Sequence, residues 1–390
     1  MPEIERTAQE EVLLINDELL EELIDLTDGA AALCYQCGVC TAICPWGVVK
    51  QEHLTVRTLI RQAQLGLQGE CGNLWLCTTC AQCEALCPRG VNISDVIRSL
   101  RTIAWDQRNT EEGLPSLLWS IFWNNNPWSQ PPSQRALWAK HLNIPDFDPQ
   151  EHEVLLYIGC TSSYDQRAQK IAAAITNLLS CAGVKFGYLG DDEPCCGEAA
   201  LSVGHRGYFD ELAAQTAHIF QERGVAKIVT ISPHCFDVFQ NHYPKFSEEF
   251  KPLHYTQFLA NLLDSGNLQF EQPVNQLVTF HDPCYLGRIN GEYGAPRQIL
   301  ESIPGVELLE MEYSAENGLC CGGGGGRMWL ETPPGERFSD VRIEQAQQTG
   351  ANLLATACPF CVTCLEDSIK SQPENHMQVL DIAEIAAQAV

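Results

Sequence analysis

The sequence predicts an α plus α/β protein, in which an all-helical N-terminal domain is followed by two duplicated α/β domains. Apolar residues in the first hundred positions recur at helical spacing, as at Leu19, Leu20, Leu23 and Ile24. After residue 150, short β-branched segments alternate with helical ones, which is typical of parallel α/β units. Cysteines within this second region recur at a nearly constant distance, which indicates a duplication.

The helical domain is expected over residues 1–108. Its predicted helical segments are Ile4–Thr27, Trp46–Leu67 and Asn92–Trp105, the last of which begins at an Asn92 cap. Residues 109–150 are rich in Trp, Pro, Asn and Gln, so they predict an extended connector with a short helix. We expect the connector tryptophans to pack between domains, or else to contact a cofactor or a partner.

The two α/β domains are expected over residues 151–272 and 273–390. In each domain three strands alternate with helices. The predicted strands are Val154–Ile158, Val184–Leu189, Ala226–Ile231, Gln276–Phe280, Val306–Glu310 and Asn352–Ala357.

The composition limits the classes of function. The 390-residue chain has a formal charge of −26, which opposes nucleic-acid binding; solubility, or docking of a more basic redox partner, would explain the acidity. No apolar run is long enough to cross a bilayer and the first residues lack a secretory signal, so we expect a cytoplasmic chain without a membrane span. In that reducing compartment, 20 cysteines indicate metal ligation rather than disulfides.

Two cysteine runs in the helical domain have the same spacing. They are Cys34-x2-Cys37-x2-Cys40-x3-Cys44-Pro45 and Cys77-x2-Cys80-x2-Cys83-x3-Cys87-Pro88. This is the spacing of bacterial two-cluster ferredoxins, in which the fourth cysteine of each run binds the other cluster. We therefore expect two cubane [4Fe-4S] clusters, one held by Cys34, Cys37, Cys40 and Cys87, the other by Cys44, Cys77, Cys80 and Cys83. Structural zinc is the alternative, but zinc sites use cysteine pairs that form one tetrahedral centre.

The duplicated region supplies a second set of cysteines. The matched pairs, separated by 124 to 126 residues, are Cys160/Cys284, Cys195/Cys320, Cys196/Cys321 and Cys235/Cys361. Cys358 completes a Cys-Pro-x-Cys motif in the second copy, whereas Ser232 replaces it in the first. Loops at the ends of parallel strands can bring several thiols together, and Gly322 and Gly323 would permit close approach to a cluster and offer amide donors.

Three segments of the second copy resemble the CCG domains of the heterodisulfide reductase-related family: HDPCYLGR (281–288), CCGGGGGRMW (320–329) and ATACPFC (355–361). Nearly the whole chain is similar to D-type members, in which a helical ferredoxin domain precedes two CCG domains. The resemblance implies that a complete motif binds a non-cubane [4Fe-4S] cluster able to reduce or form a disulfide, here at Cys284, Cys320, Cys321, Cys358 and Cys361. The first copy, with Cys160, Cys195, Cys196 and Cys235, would hold a four-thiolate cluster, zinc or no metal.

The resemblance also implies how such a chain is used. Electrons would pass between a flavoprotein donor or acceptor and a disulfide/thiol or quinone-linked acceptor, through two cubanes and the CCG cluster. The chain would be one subunit of a redox complex, and a quinone-reactive membrane subunit could hold it at the inner face of the membrane. The alternatives are a pure relay subunit without substrate chemistry of its own, and a redox sensor or zinc-stabilised scaffold.

Four residues beside the motifs complete the predictions. His234 and His281 adjoin expected ligands, and either donate hydrogen bonds or protons to sulfur or are ordinary loop histidines. Cys364 could face the cluster as a substrate-responsive thiol, because it follows Cys361 by one helical turn. Cys181 is expected to be a small buried hydrophobe.

Overall fold

The N-terminal part consists of short helices around one long helix. The computed structural model describes residues 17–49, 54–67, 71–372 and 374–390, so the first half of the predicted Ile4–Thr27 helix lies outside the described residues. The helices are α1 (Asp17–Leu26), α2 (Val39–Ile43), α3 (Trp46–Val49), α4 (Val56–Gln64), α5 (Gln82–Ala85) and α6 (Ile93–Asp106). The Asn92 side chain accepts a hydrogen bond from the Asp95 amide at the start of α6, as the sequence predicted.

The connector contains one regular helix, α7 (Leu114–Asn124), and then runs irregularly to the first strand. Trp128 contacts Trp329 of the last domain, with ring centroids 5.1 Å apart, and Trp138 is buried against the first sheet. Trp119 and Trp123 are 60% and 71% exposed. The prediction that the connector tryptophans pack between domains therefore holds for some of them, but not for Trp119 and Trp123.

The first α/β domain is built on a four-stranded parallel sheet. Its elements are β1 (Val154–Tyr157), α8 (Cys160–Tyr164), α9 (Gln169–Cys181), β2 (Phe186–Gly187), α10 (Glu198–Ser202), α11 (Arg206–Glu222), β3 (Lys227–Thr230), α12 (Pro233–Asp237), β4 (Lys251–His254) and α13 (Tyr255–Asp264). The strand order is β2-β1-β3-β4, and the side chains of β1 are buried throughout because helices cover both faces of the sheet.

The second α/β domain repeats this topology. Its elements are β5 (Gln276–His281), α14 (Gly294–Ser302), β6 (Val306–Leu308), α15 (Phe338–Gln347), β7 (Leu353–Thr356), α16 (Pro359–Lys370), β8 (Gln378–Asp381) and α17 (Ile382–Ala386). The strand order β6-β5-β7-β8 matches that of the first sheet position by position. The cysteine register thus reflects a duplicated fold.

The two α/β domains pack against each other through their helices. Helix α13 contacts α14, and α9 contacts α17. The Arg167 guanidinium donates to both carboxylate oxygens of Glu384 at 3.0 and 2.9 Å, and the Tyr255 hydroxyl donates to Asp381 at 2.5 Å. Among the helices that the structure describes, none has both the length and the apolar character needed to cross a bilayer.

Candidate metal centres

The cysteines of the α/β domains lie where the central strands end. Cys160 begins α8 directly after β1, and Cys235 lies in α12 directly after β3. Cys284 follows β5, and Cys358 caps α16 after β7. The carboxyl ends of neighbouring parallel strands meet at one edge of the sheet, so these positions converge.

The second α/β domain brings its five predicted cysteines into two adjoining groups. The Cys284 and Cys320 sulfurs are 3.7 Å apart, and the Cys321 and Cys361 sulfurs are 3.3 Å apart. Burial, with hydrogen bonds to Cys321 and Cys358, raises the pKa of Cys361 well above its ordinary value. All five side chains are at most 6% exposed, so bare thiolates there would be costly without a metal.

The glycine run after Cys321 gives the second site its close neighbours. The Gly322 amide donates to the Cys320 sulfur at 3.3 Å, and a Cβ at Gly323 would lie 3.8 Å from the Cys321 sulfur. At Gly325 a Cβ would lie 2.2 Å from the Cys77 carbonyl oxygen. Residues with side chains in place of these glycines would therefore push the Cys77 loop away from the second α/β site.

His281 directs one ring nitrogen towards the second site. Its Nδ1 accepts a hydrogen bond from Arg342 Nε at 3.1 Å, and a ring nitrogen lies within 4.8 Å of the Cys321 and Cys361 sulfurs. Burial, and then the charges of Arg342 and Arg288, lower the pKa of His281 well below its ordinary value. The neutral ring must carry its proton on Nε2, which has no hydrogen-bond partner within the described part of the chain.

His234 comes from the first α/β domain but contacts the second site. Its ring stacks on Tyr285 at a centroid distance of 3.9 Å, and its Nδ1 is 3.2 Å from Glu198 Oε1. Burial alone would raise the pKa of Cys358, but hydrogen bonds with Cys361 and His234 outweigh it and lower that pKa to about 5. The sequence predicted that His234 either donates to sulfur or is an ordinary loop histidine. In the structure, the sulfur that it contacts belongs to Cys358 of the other domain.

The last cysteine of each N-terminal run lies near the other run. Burial, with the nearby Cys77 and Cys80 thiols among the further causes, raises the pKa of Cys44 to about 12. Cys87 in turn lies near Tyr35, beside Cys37 of the first run. Cys44 thus lies with the second run and Cys87 with the first.

The second N-terminal site adjoins the second α/β site. A hydrogen bond between the Cys80 and Cys320 thiols, together with burial, raises the pKa of Cys80 well above its ordinary value. The Thr79 hydroxyl also lies 2.7 Å from the Tyr285 hydroxyl. One loop therefore touches both sets of cysteines.

The first α/β domain brings its four cysteines together, and an arginine contacts one of them. The Cys196 and Cys235 sulfurs are 3.4 Å apart, and Cys160 is hydrogen bonded to Cys195. Arg135 lies 3.2 Å from the Cys160 sulfur and 2.8 Å from Glu193, which accepts from two backbone amides at the end of β1. Ser232, at the missing cysteine position, caps α12 by accepting from the His234 amide at 3.3 Å. Sequence reasoning missed Arg135, since nothing local to the connector marks it.

The remaining cysteines differ in their surroundings. Cys364 lines a cavity of about 230 Å³ with Cys321, Trp46, Arg327 and Phe338, so its predicted position near the second site is compatible with the structure. The prediction for Cys181 was wrong, because this thiol is exposed at the end of α9, whose buried face ends at Leu179. The side chain of Cys71 lies outside the described residues.

These surroundings fit thiolate-bound clusters. The donors are almost all sulfur, which suits iron–sulfur clusters. At the second site, the cysteines are surrounded by the unpartnered N–H of His281, the amide of Gly322 and glycine backbone without side chains. Such surroundings are expected around a bulky anionic group.

Comparison with known proteins agrees with this chemistry. A family model described as a 4Fe-4S dicluster domain matches residues 33–91, and the CCG cysteine-rich domain matches residues 154–240 and 278–366. The chain is therefore a CCG-domain iron–sulfur protein with a dicluster ferredoxin-type domain. Its relatives include the D subunit of a heterodisulfide reductase and a probable iron-sulfur-binding oxidoreductase, the kinship that its motifs indicated.

Three relatives define that kinship. The chain is 38% identical over 308 residues to the probable iron-sulfur-binding oxidoreductase FadF of Bacillus subtilis, covering 77% of this chain and 44% of the relative. It is 37% identical to the EtfAB:quinone oxidoreductase of Syntrophomonas wolfei, with 68% and 39% covered. It is 34% identical to the D-type subunit of the dihydromethanophenazine:CoB–CoM heterodisulfide reductase of Methanosarcina barkeri, with 68% and 65% covered. The chain thus spans less than two thirds of the length of each.

Proposed function

We propose that the chain is an electron-transferring subunit that connects a flavoprotein partner to a disulfide/thiol or quinone-linked acceptor. Residues 1–108 would hold the two cubanes, residues 109–150 would connect, and residues 151–272 and 273–390 would be the first and second CCG domains. The contact between Thr79 and Tyr285, whose hydroxyls lie 2.7 Å apart, carries the proposal, because it joins the second cubane site to the second CCG site. When bound, the clusters supply one-electron redox chemistry.

The chain's own residues supply the rest. Cys284, Cys320, Cys321, Cys358 and Cys361 would hold the non-cubane cluster, while His281 and the Gly322 amide would donate hydrogen bonds to sulfur. The cavity beside Cys321 and Cys364 would admit a disulfide or thiol. We place the chain in the cytoplasm, held at the membrane only through a partner.

Iron and sulfide analysis of anaerobically prepared protein tests the ligand assignment. Cys321→Ala is expected to lose the iron of the second CCG site and keep the cubanes, since Cys321 contributes to neither ferredoxin run. Cys181→Ala is the matched control, because that thiol is exposed at the end of α9 and belongs to none of the cysteine motifs. Full iron content in Cys321→Ala would remove the second CCG site from the proposal.

Direct disulfide chemistry and pure relay can be separated spectroscopically. The cavity next to Cys321 favours direct chemistry, so an added thiol should change the EPR signal that Cys321→Ala abolishes. Cys364→Ala should weaken this response without loss of iron. A signal that no thiol perturbs would favour the relay role.

A further inference from the structure

The first cubane site is the most exposed of the cysteine sites, and apolar side chains surround it. Cys37 is exposed, Tyr35 is 59% exposed, and Leu33 and Leu86 are 44% and 50% exposed. Together with Val39, at 36%, these residues form what we call the Cys37 face. Exposed apolar side chains gathered around one site mark a surface for interaction.

Arginines line the same face. A cleft bounded by Cys34 and Tyr35 contains Arg57 and Arg61, and these are the charged residues among those that line it. Arg89 lies close enough to Tyr35 for its charge to act on the phenol. Across the described parts of the chain, no carboxylate forms an ion pair with any of these three arginines. Their charge is therefore available to a partner.

This local charge opposes that of the whole molecule. The chain has 50 acidic and 24 basic residues, so a basic partner would be attracted to most of its surface. An acidic partner would be repelled almost everywhere except at the arginines. The face thus favours a partner with acidic groups around its redox centre.

The loop that carries the face is already held in place. Gln64 Nε2 donates to the carbonyl oxygens of Ala31 and Cys34 at 3.1 and 3.0 Å, and the Arg57 amide donates to Thr41 at 3.0 Å. Helix α4 therefore fixes both the cysteine loop and two of the arginines. A surface ordered before binding loses less entropy when a partner docks.

We propose that the Cys37 face is the docking surface for an acidic flavoprotein whose carboxylates pair with Arg57, Arg61 and Arg89. Cys34, Cys37, Cys40 and Cys87 would hold the cluster next to this face, and that cluster would supply a one-electron acceptor for the reduced flavin of the partner, gaining the electron that the flavin loses. This inference rests on the proposed function and gives it a partner chemistry and an entry point.

A flavodoxin, a small acidic flavoprotein, serves as the probe. Its affinity for the protein is measured by isothermal titration calorimetry, and the reduction of the clusters by photoreduced flavodoxin is followed by stopped flow at low and high salt. The test variant combines Arg57→Glu and Arg61→Glu. The single variant Arg61→Glu is measured as well, because replacing Arg57 could also disturb the local structure. The matched control combines Lys170→Glu and Lys185→Glu, which change the net charge equally at exposed lysines of the first α/β domain.

The double arginine variant is expected to lower the affinity and the second-order rate constant about tenfold or more at low salt, with the difference shrinking as salt rises. The lysine control should remain within about twofold of wild type. Equal loss in both double variants, or none in the arginine variant, would overturn the docking surface. Iron content is measured in every variant: missing clusters would count against the proposed function, whereas intact clusters with unchanged flavodoxin kinetics would count only against the Cys37 face.

Discussion

The surroundings of His281 fix both its charge and the ring nitrogen that carries its proton. Arg342 donates to Nδ1, and burial disfavours the charged ring, so the only proton that His281 can offer is the one on Nε2. One ring nitrogen of His281 lies within 4.8 Å of the sulfurs of Cys321 and Cys361. A neutral donor beside thiolates stabilises the more negative, reduced form of a cluster.

Replacing His281 with leucine is therefore expected to lower the midpoint potential of the second CCG cluster. A hydrogen bond that strengthens on reduction contributes about 1 kcal/mol, or roughly 40 mV for a one-electron couple. EPR-monitored redox titration measures the change. His376→Leu, at an exposed position, should leave the potential unaltered. An unchanged potential in a His281→Leu protein with full iron would mean that Nε2 does not donate to sulfur.

The individual site residues differ in how far the sequence could predict them. The ferredoxin spacing predicts the exchange of Cys44 and Cys87 from the sequence alone, because the motif is local and its geometry is stereotyped. Arg135 could not be found in this way, since it lies 25 residues before Cys160 and reaches it only through the fold. His234 was found as a candidate donor without a particular sulfur, because its contact with Cys358 depends on the packing of two domains.

At the scale of elements, each sheet ends in a strand whose last residue caps the following helix. His254 caps α13 with Gln257 in a reciprocal arrangement, and Asp381 caps α17 with Glu384 in the same way. The sequence analysis missed both strands, β4 and β8. Pro252 obscured β4, although an edge strand tolerates proline. The Asp-x-x-Glu pattern at residues 381–384 was a usable signal for the α17 start.

The His254 cap makes the first α/β domain sensitive to acid. Burial lowers the pKa of His254 from 6.5 to about 3. The folded-state pKa lies below the unfolded one, so the stabilisation by the neutral ring is present above pH 6.5 and is lost as the pH falls towards 3. Between pH 8 and pH 5 the free energy of unfolding should fall by about 2 kcal/mol from this group.

The variant His254→Asn keeps a capping side chain but cannot titrate in this range, so its urea-unfolding midpoint should depend less on pH than that of wild type between pH 8 and pH 5. Circular dichroism follows the transition. His376→Asn removes an exposed histidine and should retain the wild-type slope. If His254→Asn and wild type lost stability in parallel, the neutral cap would not be the cause.

At the scale of the whole molecule, the sequence predicted the order of the domains but not how they meet. Local spacing and periodicity indicate each domain, whereas the contacts between domains depend on residues far apart in the chain. The glycine run of the second CCG domain lies against the Cys77–Thr78 backbone, some 250 residues away, and a Cβ at Gly324 would lie 2.4 Å from the Thr78 carbonyl oxygen. Glycine-rich sequence indicated close approach to a cluster; the neighbour that most restricts Gly324 and Gly325 is another domain.

Arg101 joins three parts of the protein at this junction. The side chain is fully buried in α6 and donates to the carbonyl oxygens of Ser202 and Gly325, one in each α/β domain, at 2.6 and 2.9 Å. It also donates to Leu74 and Cys77 at 3.1 and 2.8 Å, next to the second N-terminal site. Burial lowers the pKa of Arg101 to about 10, so it remains charged at neutral pH and makes strong hydrogen bonds.

The variant Arg101→Met removes the donors of four carbonyl groups while retaining much of the side-chain volume. We expect it to destabilise the assembled protein by about 3 kcal/mol or more, because buried acceptors are left without partners. The helical domain should then separate from the α/β domains before they unfold, giving two urea transitions and faster proteolysis between residues 107 and 150. Arg108→Met, at an exposed position just beyond α6, is the matched control and should unfold as wild type does. A single wild-type transition in Arg101→Met would show that Arg101 is not needed to hold the three parts together.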